Sequence, residues 1–387
     1  MDELNNNQII CISPHYWNGL IWFRKQHFIS RFHKKGYKVA YIDPSFSMVR
    51  KSDISERRYY KNSVFKIKIE EIDKDLFIIK PPQYLPFHTR PLVDKLNYFY
   101  IFSRISFVLK KLKFENFILL LYKAEHVNIL KYFNYRSLVF DITDDLPALE
   151  AHNKRKYEYI KKCTESLAQK SNIVLVTSHK LLERYKQYAK NIHLIPNGYD
   201  SNLFSRINHI SYIPSEMKNI LNPIIGFVGT LFSYLDYDLL KYIIEKNKDK
   251  TFVFVGPCCE NVKKIWEEII QYKNVIWLGK KKKTLIPAII SRFDVCINPF
   301  KMNDVSKSVS PLKVYEYLAL KKPIVSVEME SLGKEKVGKL IYFARDYKEF
   351  NEKINLALKN IIPESEYQCV EEYSWDNIFK KVFNLVD

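Results

Sequence analysis

Residues 308–327, SVSPLKVYEYLALKKPIVSV, hold the residue types best suited to gripping a phosphorylated ligand. Ser310 suits a helix N-cap and Pro311 the first helical position. Residues 312–320 then read as a helix, closed by Lys321, Lys322 and Pro323. Residues 324–327 read as a short buried strand. On such a helix Lys313, Glu316 and Leu320 share one face, and Leu312, Tyr315 and Ala319 another. The helix start offers free N–H groups, a hydroxyl and an amine to a single anion, which suits a phosphate. Glu316, about one turn deeper, can reach a ribose or sugar hydroxyl. A plain capped helix with a Lys–Glu surface pair fits the same residues, so this stretch alone leaves both readings open.

A second set of candidates lies in FDITDDL. A strand over residues 137–141 would place Asp141, Asp144 and Asp145 at its carboxyl end, where open α/β sheets put their sites. Adjacent carboxylates raise each other's pKa, which suits Asp144 or Asp145 to act as a general base. Magnesium binding is an alternative, with no third ligand in evidence. Helix capping is another. Near the N-terminus, QIICIS (residues 8–13) reads as a buried strand and PHYWNG as a loop. A helix over residues 20–35 follows, ended by Gly36, and then a strand over 38–42. This β–loop–α–β opening implies a parallel sheet. His15, Trp17 and Arg24 border the site at its strand ends, although His15 also reads as a surface-loop histidine. No GxGxxG follows the first strand, which argues against a nicotinamide dehydrogenase.

The elements that must position these groups can be followed along the chain. Strand-like pieces fall at 64–69 and 76–80, and a proline-punctuated loop at 81–91. A helix over 92–112 carries Tyr98, Phe99, Tyr100, Phe102 and Phe107 and ends in KKLKF. It fits a half-buried helix with a solvated lysine face, or a membrane-facing patch. Strands at 117–122, 173–177 and 192–195 alternate with helices, including one over 154–170. Asn197-Gly198 in PNGYD is a turn signal, and residues 201–222 read as a linker. PIIGFVG then restarts the pattern. Gly226 and Gly229 would let a diphosphate approach the backbone. Thr230 suits a helix cap or a phosphate contact, and Asp236 and Asp238 a helix start. Strands at 252–255, 275–279 and 295–299 follow, with a short helix at 287–291. Lys280 to Lys283 come directly after a strand end, where a phosphate or membrane role competes with simple solvation. A last helix spans 373–385.

The whole chain bounds these readings. Its 387 residues suffice for two domains, and a hydrophobic content of 47% fits a globular protein. The net charge of +19 points to an anionic partner: nucleic acid, an acidic membrane surface or phosphorylated small molecules. A lysine-rich proteome would give the same charge. Six cysteines form no CxxC and no zinc spacing, so plain thiols in a reducing cytosol are expected. MDELNNNQ lacks the charge and apolar run of a signal peptide. No apolar run approaches the roughly 20 residues that span a bilayer. The expectation is a cytoplasmic protein, soluble or peripheral on the inner face of the membrane. No helix-turn-helix, zinc or RRM signature supports a basic nucleic-acid-binding protein.

SPLKVYEYLALKKPIV resembles the donor-binding helix of GT-B glycosyltransferases. FDITDDL resembles the acceptor-domain aspartates of polysaccharide-building members, of the teichuronic-acid and xanthan types. PNGYD is similar to the stretch that closes the first GT-B domain, and SWDNIFKKVF to the helix that returns to it. The resemblance implies an α/β chain of two Rossmann-like domains whose parallel sheets face a central cleft. The acceptor-binding domain would span 1–205 plus a returning segment, 366–387, and the nucleotide-sugar domain 206–365. It implies donor contacts from Gly229, Thr230, Lys280, Ser310, Pro311, Leu312, Lys313 and Glu316, with Lys313 on the diphosphate. His15, Trp17 and Arg24 would lie on the acceptor side. The donor would be a UDP- or GDP-sugar, with no cofactor and no metal required. The acceptor would be a growing polysaccharide or a lipid-linked saccharide, reached at an anionic membrane surface. Common retaining members carry two glutamates seven residues apart; Glu316 matches the second, while Ser308 stands at the first, so the stereochemistry stays open. A nucleotide-sugar epimerase of the same fold is the rival enzyme reading.

Overall fold

The computed structural model describes residues 7–19, 22–45, 65–84, 91–205, 214–221, 223–303 and 309–387. Two compact units emerge, each built on a sheet whose strands are short apolar runs. Such runs suit strands covered on both faces by helices.

In the first unit β1 (Gln8–Ile12), β2 (Lys38–Ile42), β4 (Leu76–Lys80), β5 (Phe117–Leu121), β6 (Tyr135–Ile142), β7 (Ile173–Val176) and β8 (Ile192–Leu194) run parallel. With β3 (Lys68–Asp73) at one edge, the order is β3-β4-β2-β1-β5-β6-β7-β8, so the winding reverses between β1 and β5. β3 is the exception: it pairs antiparallel with β4. Its sequence, KIEEID, is charged and mostly exposed, which blunts an edge that would otherwise recruit another strand. The strand expected at 64–69 is therefore shifted towards the C-terminus, and residue 64 lies outside the described residues. The helices Arg24–Lys34, Pro91–Lys111 and Lys154–Lys170 cover the sheet. The first was expected from residue 20, which lies outside the described residues; its helical turns begin at Arg24, after Phe23 in extended conformation.

The second unit holds six parallel strands: β9 (Ile224–Val228), β10 (Thr251–Val255), β11 (Val275–Trp277), β12 (Val295–Asn298), β13 (Ile324–Val327) and β14 (Ile341–Ala344). Their order, β11-β10-β9-β12-β13-β14, reverses between β9 and β12. Asp236 caps the helix Tyr237–Lys246, accepting from the Leu239 N–H at 2.9 Å. β14 and the helix Tyr347–Lys359, capped by Asp346, complete the sheet and its cover.

The division between units differs from the expected one. The first unit comprises Met1–Val176, Leu181–Leu194 and Val382–Asp387, and the second Thr177–Lys180 and Ile195–Lys381. Residues 195–205 and 366–381 thus belong to the second unit. The reason is local: the Tyr199 N–H donates to Tyr373 O at 3.0 Å, and the Trp375 N–H donates back to Tyr199 O at 2.9 Å. A Cβ on Gly198 would stand 2.4 Å from Tyr373 O, so this glycine serves a close backbone approach and not only a turn. All six cysteines are free. Among the described residues no helix is long and apolar enough to cross a membrane.

Candidate active site

In the second unit Gly229 and Lys313 meet at the reversal point, beyond the carboxyl ends of β9 and β12, where open sheets bind ligands. β9 and β10 each run into a glycine. Gly229 N–H donates to Val255 O at 2.8 Å, and Gly256 N–H to Gly279 O at 2.9 Å. Gly256 has φ +142°, and a Cβ there would stand 1.9 Å from Gly229 O. Gly229, with φ +155°, has the Lys313 amine beside it: a Cβ would lie 3.0 Å from Nζ. The missing side chain is the space the lysine occupies.

The helix Leu312–Ala319 carries Lys313 in its first turn. Its Nζ is buried without a hydrogen-bond partner. It lies 4.2 Å from the ring centre of Phe227, 4.6 Å from Phe300 and 5.5 Å from Tyr234. Burial pulls the amine down to about 7, with Glu316 acting upwards. The ring faces favour the charged form and oppose that depression. Glu316, half-buried on the same helix, is pushed up to about 7 by burial; Lys283 and then Lys313 lower it, and Asp200 raises it. Burial thus moves both groups towards their neutral forms, at a place where each would gain from a polar ligand.

The start of this helix differs from the expectation. Ser310 does not cap it, and Pro311, in extended conformation, occupies the N-cap position with Leu312 first in the helix. The Ser310 hydroxyl is shared with Tyr315 Oη at 2.9 Å, and its carbonyl accepts from Asn197 Nδ2 at 2.7 Å. Ser310 therefore anchors the loop, and the PNGYD motif supplies that anchor. Lacking a side-chain cap, the first-turn N–H groups keep their capacity for an outside acceptor. Thr230 caps nothing; its carbonyl accepts from Tyr234 Oη at 2.6 Å. Lys280 is exposed, and Lys281 pairs with Glu216 at 2.7 Å. Of that lysine run it is Lys283 whose charge acts on Glu316, a role that spacing alone did not single out. Ser308 lies outside the described residues.

In the first unit the structure separates the adjacent aspartates. Asp145 is 3% exposed, forms an ion pair with Arg184 and accepts from the Ala148 N–H at 3.4 Å. Asp145 is thus engaged within its own loop, while the next α-helix is capped by Asn153. Asp144 accepts from the Thr143 hydroxyl at 2.9 Å, and burial raises its pKa while Lys25 lowers it. Asp141 is fully buried and bonded to Arg24 Nε at 2.7 Å. Arg24, at 2% exposure, is thus a structural tie between the end of β6 and the helix after β1, not an exposed acceptor contact. Trp17 is likewise buried; its backbone N–H donates to Asp43 Oδ1 at 2.8 Å and its ring meets Tyr41 edge-on. His15 stacks on Phe23, and its Nδ1 lies 3.0 Å from Lys25 Nζ. Burial, then Lys25 and Lys123, hold His15 down at about 3, so it is neutral and Nδ1 accepts from the lysine. Lys25, buried beside the Tyr122 ring and drawn down to about 8 by its burial, was not foreseen. Among the described residues no group of three His, Cys, Asp or Glu side chains is placed to hold a metal.

With this geometry in hand, comparison with known proteins is informative. Residues 222–360 match the family described as glycosyl transferases group 1. Over 143 residues the chain is 31% identical to TuaH of Bacillus subtilis (strain 168), a protein assigned to teichuronic acid biosynthesis as a glycosyltransferase. That match spans 37% of this chain and 36% of TuaH, about a third of the relative's length. Among solved structures, a sucrose-phosphate synthase from Thermosynechococcus elongatus superposes with a TM-score of 0.70 at 13% identity, over 98% of both chains. A UDP-forming α,α-trehalose-phosphate synthase from Burkholderia vietnamiensis gives 0.68 at 12% identity, also over 98% of both. A glycosyltransferase from Rickettsia africae gives 0.65 at 14%, over 99% of this chain and 98% of that one. At such identities these likenesses establish the fold.

Proposed function

We propose that this chain, which has the GT-B fold and carries a glycosyl transferases group 1 domain at residues 222–360, transfers a sugar from a nucleotide-sugar donor to a saccharide acceptor in polysaccharide biosynthesis. The observation that carries the reading is the Lys313 amine, buried without a hydrogen-bond partner beside Gly229 at the reversal of the second sheet. A diphosphate there would receive the amine and the uncapped N–H groups of the helix start. Glu316 would accept hydrogen bonds from ribose or donor-sugar hydroxyls.

In this reading the acceptor hydroxyl gives its proton to Asp144, its oxygen bonds to the anomeric carbon, and the bond from that carbon to the diphosphate breaks. The charge left on the diphosphate falls to Lys313 and the helix N–H groups. That is the role a metal plays in other transferases, so transfer without a metal belongs to the same proposal. Asp144 is preferred to Asp145 because Arg184 and the Ala148 N–H already occupy Asp145. The donor nucleotide is uridine or guanosine diphosphate, and the acceptor is a polysaccharide end or a lipid-linked saccharide at the inner face of the cell membrane. The epimerase alternative draws on no observation beyond the shared fold.

Calorimetric titration of the full chain with UDP, GDP and their sugars tests the donor assignment. Binding of one nucleotide series, weakened by Glu316→Gln, is the expected result. No binding of any nucleoside diphosphate would remove the reading.

A further inference from the structure

The helix Pro91–Lys111 of the first unit is apolar on two faces, and only one of them is used by the core. Ile101, Phe102, Ile105 and Leu109 are buried against the sheet, none more than 5% exposed. On the other side Leu92 is 76% exposed, Leu96 57%, Phe99 61% and Phe107 60%. These positions follow one another at helical spacing and form one stripe along about four turns. Phe65, 60% exposed, extends it laterally, since its carbonyl accepts from Tyr100 Oη on the same helix at 3.2 Å.

The exposed charges of this helix have one sign. Lys95 lies to one side of the stripe, Arg104 and Lys111 to the other, and Lys110 at its end; all four are exposed. The only acid on the helix, Asp94, is partly buried. Lys111 Nζ lies 4.7 Å from the Phe107 ring centre and Arg104 5.2 Å from that of Tyr100, so the stems lie along the aromatic surface. A soluble surface helix offers a polar outer face; four large apolar side chains rimmed by cations do not serve solubility.

We infer that this face docks in the plane of an anionic phospholipid bilayer, with Leu92, Leu96, Phe99 and Phe107 entering the acyl boundary and the flanking cations on the headgroup phosphates. A helix lying in the interface combines those two features. Charge complementarity selects the occupant. A second copy meeting this face by two-fold symmetry would set Lys95, Arg104, Lys110 and Lys111 against their own equivalents, which repels. The basic chain, at +19, adds long-range attraction to an anionic surface. This rests on the membrane part of the functional reading but uses none of the donor-site residues, so the two fail separately.

Flotation of the full chain with phosphatidylcholine vesicles, with and without phosphatidylglycerol, tests it. Binding is expected only when the anionic lipid is present and is expected to weaken as salt rises. The double variant Leu96→Glu, Phe99→Glu should abolish it. The double variant Lys110→Ser, Lys111→Ser should weaken it about tenfold or more. Both should keep the wild-type melting temperature and nucleotide affinity, because the altered side chains are exposed. Equal binding to neutral vesicles, no binding to either, or unchanged binding by both variants would overturn the inference. So would concentration-dependent dimerisation that Phe99→Glu disrupts, which would make the stripe a protein interface.

Discussion

Lys313 and Glu316 both lie about where neutral pH divides their protonation states, and for opposite reasons of sign. Burial holds Lys313 down at about 7, so below that pH the unfolded chain is protonated more favourably than the folded one. The resulting cost to folding is greatest below about 7 and fades as pH rises towards the ordinary lysine value. Glu316, raised to about 7, behaves in reverse: its cost is absent near its ordinary value and complete above about 7. Lys313→Met should therefore melt higher than the wild type at pH 6, by about 2 °C or more, with the gain shrinking towards pH 10. The same variant should bind nucleotide at least about tenfold more weakly, the loss of one charged hydrogen bond. A lysine with a purely structural role would lose stability, not gain it, so melting curves with nucleotide titrations separate the cases. The aspartate pair gives a second contrast. Asp144→Asn should lose transfer by about a hundredfold or more while binding nucleotide normally. Asp145→Asn should lose about 1–2 kcal/mol of stability, modest because Arg184 is partly solvated, as chemical denaturation would read.

At the scale of elements, the carboxyl ends of the second unit's first two strands depend on glycine for physical reasons that differ from site to site. Gly256 is closed to a side chain by backbone: the Gly229 carbonyl cannot retreat without breaking the turn that sets Lys313 against β9. Gly256→Ala should cost about 2 kcal/mol or more and weaken nucleotide binding. Gly279→Ala meets nothing within 4 Å and should cost about 1–2 kcal/mol for its φ of +63° alone. Urea melts and nucleotide titrations on both would show whether the effect at 256 is local crowding. These strands, and the helix from 312, were legible because buried parallel strands read as unbroken apolar runs. The Asp236 cap was legible for the same kind of local reason. β14 and the helix Tyr347–Lys359 were passed over, although Asp346 and Glu349 form a helix start: the Asp346 side chain accepts from the Glu349 N–H at 2.8 Å. At the site, helical spacing put Lys313 and Glu316 on one face, but a plain Lys–Glu surface pair fitted that spacing equally well. What spacing could not reveal was commitment to distant partners. Ser310 looks like a cap until Asn197, over a hundred residues earlier, claims its carbonyl; Arg24 looks like an acceptor contact until Asp141 is placed beside it. Lys25 was hidden for the same reason, and Lys283 could not be told apart from the rest of its run, since their neighbours come from other elements.

At the scale of the whole molecule, the chain does not finish one unit before starting the other. The first unit takes back the last six residues, Val382–Asp387, after the second unit has been completed. Their role within the first unit is specific. Val382 and Val386 are 2% and 7% exposed. The Phe383 ring centre lies 6.0 Å from that of Phe32 and 6.1 Å from that of Tyr37, and the Tyr37 hydroxyl donates to the Asp387 carboxylate. Tyr37 and Phe32 flank Gly36, where the helix after β1 turns into β2, so the segment covers the junction on which the first sheet is started. Two buried valines alone represent about 3 kcal/mol or more of burial that removal would forfeit. Deleting residues 382–387 should therefore lower the stability of the first unit by at least that amount. The donor residues, from Gly229 to Glu316, all lie in the second unit, which the deletion leaves whole. Nucleotide affinity should consequently persist in the truncated chain, while scanning calorimetry shows an earlier transition that nucleotide does not shift and a later one that it does. Loss of nucleotide binding together with the first transition would show that the second unit is not independent in stability. An unchanged melting profile would show that the segment contributes nothing to the first unit.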